Sequence, residues 1–160
     1  MPETRRIFVG LGSNTQRELN LRSALLRLAA AFGPLQTSPV YESADSRFHG
    51  PAFYNLVAGF DSDVSPLQLR QCFREIEADC GRTARREQVF PLDLDLLLCG
   101  DERHLDPLVP HPDVLSAAFV LKPLCDLVPD YVHPDSGQTL AAHWQAMAVS
   151  AGLRRLGLRF

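Results

Sequence analysis

Two aspartates separated by one residue lie in the most apolar stretch of the chain, residues 91–99. Pro91 precedes the apolar run and Gly100 follows it, and strands of this length commonly end at such residues. Because side chains alternate between the two faces of a strand, Asp93 and Asp95 are predicted to share one face. The other face is predicted to carry Leu92, Leu94, Leu96 and Leu98.

A carboxylate pair of this kind lies about 6 to 7 Å apart along the strand. Two such charges repel each other unless water or cations separate them. Oxygen ligands without Cys or His are those that Mg²⁺ prefers, usually shared with substrate phosphates. The pattern therefore predicts a Mg²⁺ site at Asp93 and Asp95, and a solvated edge strand is the alternative.

Composition limits the class of protein. A chain of 160 residues with 46% apolar and 22% charged residues predicts a single domain, residues 1–160, with its own core. A net charge of -3 and a pI near 5.9 argue against a nucleic-acid partner. The four cysteines lack zinc-site spacing and are predicted to be free thiols. No signal peptide or membrane span is recognisable, so the expectation is a cytoplasmic protein that does not bind membranes. A monomer is a separate expectation that no sequence pattern tests.

The order of hydrophobic patterns predicts a β-α-β-β-α-β arrangement. Thr15 and Glu18 have the spacing of a capping box at the start of the first helix, and Ser65-Pro66 marks the start of the second. The predicted elements are a strand at 7–11, a helix ending at 32, strands at 35–43 and 53–60, a helix ending at 80, the aspartate strand, and helices at 117–127 and 139–147. The residues from about 150 are expected to be a loosely docked tail.

Three further sets of residues are candidates for ligand contact. Asn55 shares a strand face with Phe53, and its amide needs either backbone partners or a flat heterocycle stacked on that ring. Arg82, Arg85 and Arg86 lie in a segment leading to the aspartates, and arginines beside such carboxylates often bind phosphates, although a solvated basic loop is the alternative. His111 is restricted by a proline on either side, which is compatible with either a structural or a ligand-binding role.

These residues together resemble one family. Gly10-Leu11-Gly12-Ser13-Asn14, Phe53-Tyr54-Asn55, Glu77 with Gly81-Arg82, Asp93-Leu94-Asp95, Val109-Pro110-His111-Pro112 and Phe119-Val120-Leu121 occur in the order and approximate spacing of the 6-hydroxymethyl-7,8-dihydropterin pyrophosphokinases. The resemblance runs from Ile7 to about Trp144. It implies an α+β fold, a ferredoxin-like β-α-β-β-α-β core in a three-layer α/β/α sandwich. It also implies transfer of the β,γ-diphosphate of ATP to a pterin hydroxymethyl group, with release of AMP, in folate biosynthesis.

The resemblance also implies roles for single residues. Asp93 and Asp95 would hold two Mg²⁺ ions with ATP as co-substrate, and Arg82 would act with them in catalysis. The residues implied to bind the pterin are Ser43, Ala44, Phe53, Asn55 and Phe119. Those implied to bind ATP are Glu77, Arg82, Arg85, Leu96 and His111.

The chain departs from the family pattern at two positions. The family usually has arginine where this chain has Phe90 and Ala117, and both family arginines face phosphates. Arg85 or Arg86 is a candidate replacement. One alternative is therefore a pterin-binding relative with weak or no transferase activity. A second alternative, from outside the family, is an unrelated Mg²⁺-dependent nucleotide-binding module on a ferredoxin-like fold.

Overall fold

The computed structural model describes residues 3–43, 51–80, 89–147 and 152–160. The strands are β1 (Arg5–Ser13), β2 (Gln36–Thr37), β3 (Tyr41–Ser43), β4 (Phe53–Ser62), β5 (Asp93–Cys99), β6 (His104–Leu105), β7 (Leu108–Val109) and β8 (Leu153–Arg155). The helices are α1 (Arg17–Phe32), α2 (Pro66–Asp79), α3 (Asp113–Ser116), α4 (Ala118–Leu127) and α5 (Leu140–Ala146).

The main sheet has the strand order β5-β1-β4-β3-β8, with β2 also paired to β4. Strand β1 is central and runs antiparallel to both β4 and β5. Helices α1 and α2 bury apolar side chains in a core on one face, and α4 and α5 form a second core on the other. This confirms the predicted α+β sandwich with ferredoxin-like order. Strands β6 and β7 form a separate hairpin.

Strand β5 follows the predicted alternation only as far as Leu96. Leu92, Leu94 and Leu96 belong to the core under α1 and α2, whereas Leu97 and Leu98 both belong to the core under α4. The register against β1 shifts at this point, since Val9 pairs with Leu96 and Phe8 with Leu98. A bulge adds one residue and thereby reverses the faces of the strand residues beyond it, so the predicted side for Leu98 was wrong.

Of the two predicted helix starts, the structure confirms the cap of α2 but not that of α1. Ser65 caps α2 as predicted, with its Oγ accepting a hydrogen bond from the Gln68 N–H at 3.3 Å. The capping box predicted for α1 is wrong. Gln16 occupies the N-cap in a left-handed conformation and provides no side-chain cap.

Two other predicted segments contain more structure than expected. The strand predicted at 35–43 is divided into β2 and β3 around Ser38-Pro39, and Ser38 bonds to Val57 through both its N–H and its Oγ. The described tail, 152–160, contains β8, which pairs with β3, and its apolar residues pack against the core. In the described part of the chain, no helix combines the length and the hydropathy needed to cross a membrane.

Candidate functional site

The central strand brings the two predicted halves of the site together. Gly12 near the end of β1 pairs with Asn55 of β4 on one side and with Asp93 of β5 on the other. Gly10, two residues earlier, pairs with Val57 and Asp95. Neighbouring strands lie about 4.8 Å apart, so the amide and the carboxylates lie within the span of a small ligand. This juxtaposition is long-range and follows from the order and the register of the three strands.

Asn55 lies in a buried polar pocket on the β4 side. Its side-chain amide donates to Ser43 Oγ at 2.7 Å and to the Tyr41 carbonyl oxygen at 3.4 Å. Both bonds use Nδ2, and Oδ1 faces Gly12, where a Cβ would lie only 3.3 Å away. Within the described residues, that oxygen is therefore left to accept a hydrogen bond from a ligand. Gly12 also leaves room for Phe53, whose Cδ1 lies 3.5 Å from the same Cβ position.

The aromatic residues lie on the α4 side of the sheet. Phe53, Asn55 and Val57 alternate onto one face, and Val57 belongs to the core against which Phe119 of α4 packs. Phe53 also contacts Phe90, with ring centroids 5.8 Å apart and planes at 38°. The Phe90 backbone is held at both ends by Asn14, which accepts from its N–H and donates to its carbonyl oxygen. Phe90, which lies where the family that this chain resembles usually has arginine, thus places a second aromatic ring beside Phe53.

Asp95 is in an unfavourable environment for a lone carboxylate. Burial, and then repulsion from Asp93, raise its pKa from 3.8 to about 7. A hard cation would relieve this repulsion, and carboxylate oxygens suit Mg²⁺. Across the described ranges no set of three His, Cys, Asp or Glu residues forms a ready-made metal cluster. Water and phosphate oxygens would have to complete the coordination, as is usual for Mg²⁺ bound with a nucleotide.

A cavity of about 180 Å³ follows the open edge of β5. Its lining combines one carboxylate, two guanidinium groups, an imidazole and an apolar surface. The lining residues are Arg70, Arg74, Leu94, Asp95, Leu96, Pro107, Leu108, His111 and Pro112. Asp95, Leu96 and His111 were all predicted for the nucleotide side or the metal, and the fold brings them into one cavity.

His111 is anchored beside the β5 edge. Its backbone N–H donates to the Leu97 carbonyl oxygen at 2.9 Å, and its Nδ1 accepts from the Asp113 N–H at 3.1 Å. Because Nδ1 accepts a hydrogen bond, the neutral ring carries its proton on Nε2. That tautomer gives His111 a donor suited to a phosphate oxygen.

Glu77 lies behind the cavity wall. Only 2% exposed, it accepts from the Leu94 N–H at 2.8 Å through Oε2 and from Arg74 at 2.7 Å through Oε1. Both of its oxygens therefore bond to protein groups. The structure makes Glu77 a support for Arg74 and β5, while its contact with ATP stays a prediction.

Sequence reasoning missed Arg70, Arg74 and the spacing role of Gly12. The arginines recur at i and i+4 on α2, a signal that was present but resembled an ordinary solvated helix face. Gly12 was recognised only as part of the Gly10-Leu11-Gly12-Ser13-Asn14 motif, which by itself does not indicate a spacing role. Ala44, Arg82, Arg85 and Arg86 lie outside the described residues.

Comparison with known proteins agrees with this arrangement. Residues 8–129 match the family described as 7,8-dihydro-6-hydroxymethylpterin-pyrophosphokinase. The 2-amino-4-hydroxy-6-hydroxymethyldihydropteridine pyrophosphokinase of Pseudomonas aeruginosa is 37% identical over 142 residues, which cover 81% of this chain and 85% of that protein. The folic acid synthesis protein fol1 of Pneumocystis carinii is 32% identical over 145 residues, covering 87% of this chain but 20% of that longer protein.

Solved structures show the same fold. The wild-type Plasmodium falciparum HPPK-DHPS crystallised with pterin and p-hydroxybenzoate has a TM-score of 0.76 at 15% identity, covering 97% of this chain and 47% of that one. The wild-type protein with pteroate gives 0.74 at 15% identity, with 96% and 46% covered. This chain therefore spans about half of those structures.

The fold is that of a small α+β protein, and the family match together with the curated relatives assigns it to the pyrophosphokinase class. The family match extends over most of the chain, and several relatives exceed 30% identity. The chain belongs to the 7,8-dihydro-6-hydroxymethylpterin-pyrophosphokinase family.

Proposed function

We propose that this chain transfers the β,γ-diphosphate of ATP to the hydroxymethyl group of 6-hydroxymethyl-7,8-dihydropterin, with Asp93 and Asp95 as its Mg²⁺ ligands. Family membership supports pyrophosphoryl transfer in folate biosynthesis, with a pterin and ATP as small-molecule substrates. The observation that carries the residue assignment is the register of β1, which has Asn55 on one side of Gly12 and Asp93 on the other.

The pterin and the nucleotide would bind on either side of β5. Phe53, Asn55 and Phe119 would hold the pterin, with Asn55 Oδ1 accepting from its polar edge and the aromatic rings packing on its faces. Leu96 and His111 would contact the nucleotide in the cavity, His111 through its Nε2–H. The strand that carries Asp93 and Asp95 lies between them, so the hydroxymethyl group and the phosphates meet at the carboxylates.

The reaction needs little covalent chemistry from the protein. The pterin hydroxyl oxygen forms a bond to the β-phosphorus, the bond from that phosphorus to the bridging oxygen of AMP breaks, and the hydroxyl proton is released. Bound Mg²⁺ supplies neutralisation of phosphate charge. The protein residues position the two substrates, and positioning together with stabilisation of the phosphate charge accounts for most of the rate enhancement in phosphoryl transfer.

The proposal also includes three contacts that the family resemblance implies. Ala44 would contact the pterin, and Arg82 and Arg85 would contact ATP. A pterin-binding relative with weak activity remains the alternative suggested by Phe90 and Ala117, but the comparisons do not favour it over transfer. The monomeric state is likewise a prediction.

The test is an AMP-release assay with 6-hydroxymethyl-7,8-dihydropterin, ATP and Mg²⁺. AMP should form only when all three are present, and Asp95→Asn should abolish turnover while leaving pterin affinity within about twofold, since it removes charge at nearly constant volume. Asp63→Asn, at an exposed aspartate, is the matched control. Pterin binding without AMP release in the parent would establish the weak-activity alternative, and failure to bind the pterin would refute both.

A further inference from the structure

Helix α2 presents two cations to the cavity beside β5. Arg70 and Arg74 are one helical turn apart, and both line it together with His111 and Asp95. Neither has a role in the proposed reaction as described above. They are part of a regular helix, so their backbone positions are set by the fold.

The two arginines differ in how they are held. Arg70 pairs with Asp106 of the β6–β7 hairpin at 2.7 Å, an ion pair in which Asp106 is largely exposed. Arg74 pairs with Glu77 at 2.7 Å, and Glu77 is buried and fixed by the Leu94 N–H of β5. Arg74 is thus tied through one buried carboxylate to the strand that carries Asp95.

This support leaves most of Arg74 available. Its side chain is 53% exposed, and the bond to Glu77 uses only Nη1. A guanidinium has five N–H donors in a planar fork that matches the oxygens of a phosphate. Burial lowers the pKa of Arg74, but the hydrogen bond and negative charge of Glu77, together with the charges of Asp95 and Asp93, outweigh it and raise that pKa, so the guanidinium stays charged.

We propose that Arg74 binds a phosphate group of the nucleotide, held in position by Glu77. The inference rests on the proposed function for the identity of the nucleotide. The cavity chemistry supports it: a guanidinium lies beside the carboxylates that attract the metal, and an apolar surface of Leu96, Pro107 and Leu108 is available to the uncharged part of the ligand. Phosphate oxygens are the ligand groups that satisfy both the cation and a metal at Asp95.

The test compares Mg²⁺-ATP with adenosine in binding to the same protein variants, measured calorimetrically without pterin. Arg74→Gln keeps an amide donor for Glu77 but removes the charge and should weaken Mg²⁺-ATP binding by about 10-fold to 100-fold. Adenosine affinity should change by less than about twofold, because adenosine lacks phosphate. Arg74→Lys, which keeps charge but loses the fork, should fall between the parent and Arg74→Gln.

Arg27→Gln is the matched control. Arg27 lies on α1 and pairs with Asp79 near the end of α2, so its replacement removes the same charge and one ion pair outside the cavity. Its Mg²⁺-ATP affinity should match the parent. If Arg74→Gln misfolds, Arg74→Lys provides the test, since its loss of Mg²⁺-ATP affinity can be compared with its loss of adenosine affinity in the same way.

The outcomes separate this inference from the proposed function. An unchanged ATP affinity in Arg74→Gln and Arg74→Lys, or equal losses for ATP and adenosine, would overturn the phosphate contact. A selective loss for ATP supports it even if the parent releases no AMP with the pterin, in which case the proposed function alone fails. A parent that does not bind Mg²⁺-ATP refutes both.

Discussion

Asp95→Asn should stabilise the protein above neutral pH although it removes a residue of the site. The pKa of Asp95 lies at about 7 in the folded chain, against an ordinary 3.8, because of burial and of the neighbouring Asp93. Since its folded pKa is raised, the folded state retains the proton over a pH range where the unfolded chain has released it. The free energy of unfolding therefore falls as pH rises from about 4 to about 7.

The size of the effect follows from the pKa difference. At about 1.4 kcal/mol per pKa unit, the parent loses at most about 4 kcal/mol across this range. Asn has nearly the same volume and no charge, so it avoids the loss. We expect Asp95→Asn to unfold with a free energy about 2 to 4 kcal/mol higher than the parent at pH 8, and within about 0.5 kcal/mol of it at pH 4.

Urea unfolding at pH 4, 5, 6, 7 and 8 in the presence of a chelator measures this difference. Asp63→Asn should show no such pH-dependent gain, because Asp63 is exposed. Saturating Mg²⁺-ATP should narrow the gap, since the parent alone keeps the carboxylate that binds the metal. A stability difference that does not vary with pH would refute the argument that a partly buried charge at Asp95 lowers the free energy of unfolding.

Further predictions concern the pterin side, and each is measured as pterin affinity by calorimetry with Mg²⁺-ATP affinity as the control that should stay constant. Phe53→Ala should weaken pterin binding by about 2-fold to 12-fold, the value of one aromatic contact; no change would mean that the pterin does not stack there. Asn55→Ala should weaken pterin binding about 10-fold or more, because polar groups of the ligand lose their partner. An effect no larger than that of Phe53→Ala would contradict a hydrogen bond accepted by Oδ1. Gly12→Ala, which introduces a Cβ 3.3 Å from Asn55 Oδ1, should also reduce pterin affinity severalfold, and a variant with the parent's pterin affinity would show that the pocket can relax. Phe90→Arg should weaken pterin binding where Phe90→Leu does not, because a charge replaces the ring against Phe53; faster turnover at unchanged affinity would instead favour a phosphate-facing role for position 90.

Local sequence patterns determined the element types and much of the candidate site. Alternation around Asp93 and Asp95 predicted a strand as far as Leu96, and Ser65-Pro66 predicted the start of α2 from capping chemistry that needs only four residues. The family resemblance, which depends on motif order, was confirmed by the comparisons. These features are encoded within short segments, so they can be recognised before any tertiary contact is known.

Other features arose only when distant segments met. The bulge at Leu97 depends on the register against β1, and the N-cap at Gln16 shows that a capping-box spacing does not ensure capping. Phe90 became an aromatic neighbour of Phe53 because Asn14 fixes its backbone from another strand end. The docking of β8 on β3 similarly requires residues more than a hundred positions apart.

By itself, the sequence determined that the chain has a carboxylate strand, an aromatic and amide strand, and helices that cover them. Only the tertiary structure decided that Gly12 separates Asn55 from Asp93 and that Arg74 lies beside Asp95. The physical reason is that strand pairing and helix packing fix distances between residues far apart in the chain, whereas periodicity reports only which face each side chain occupies.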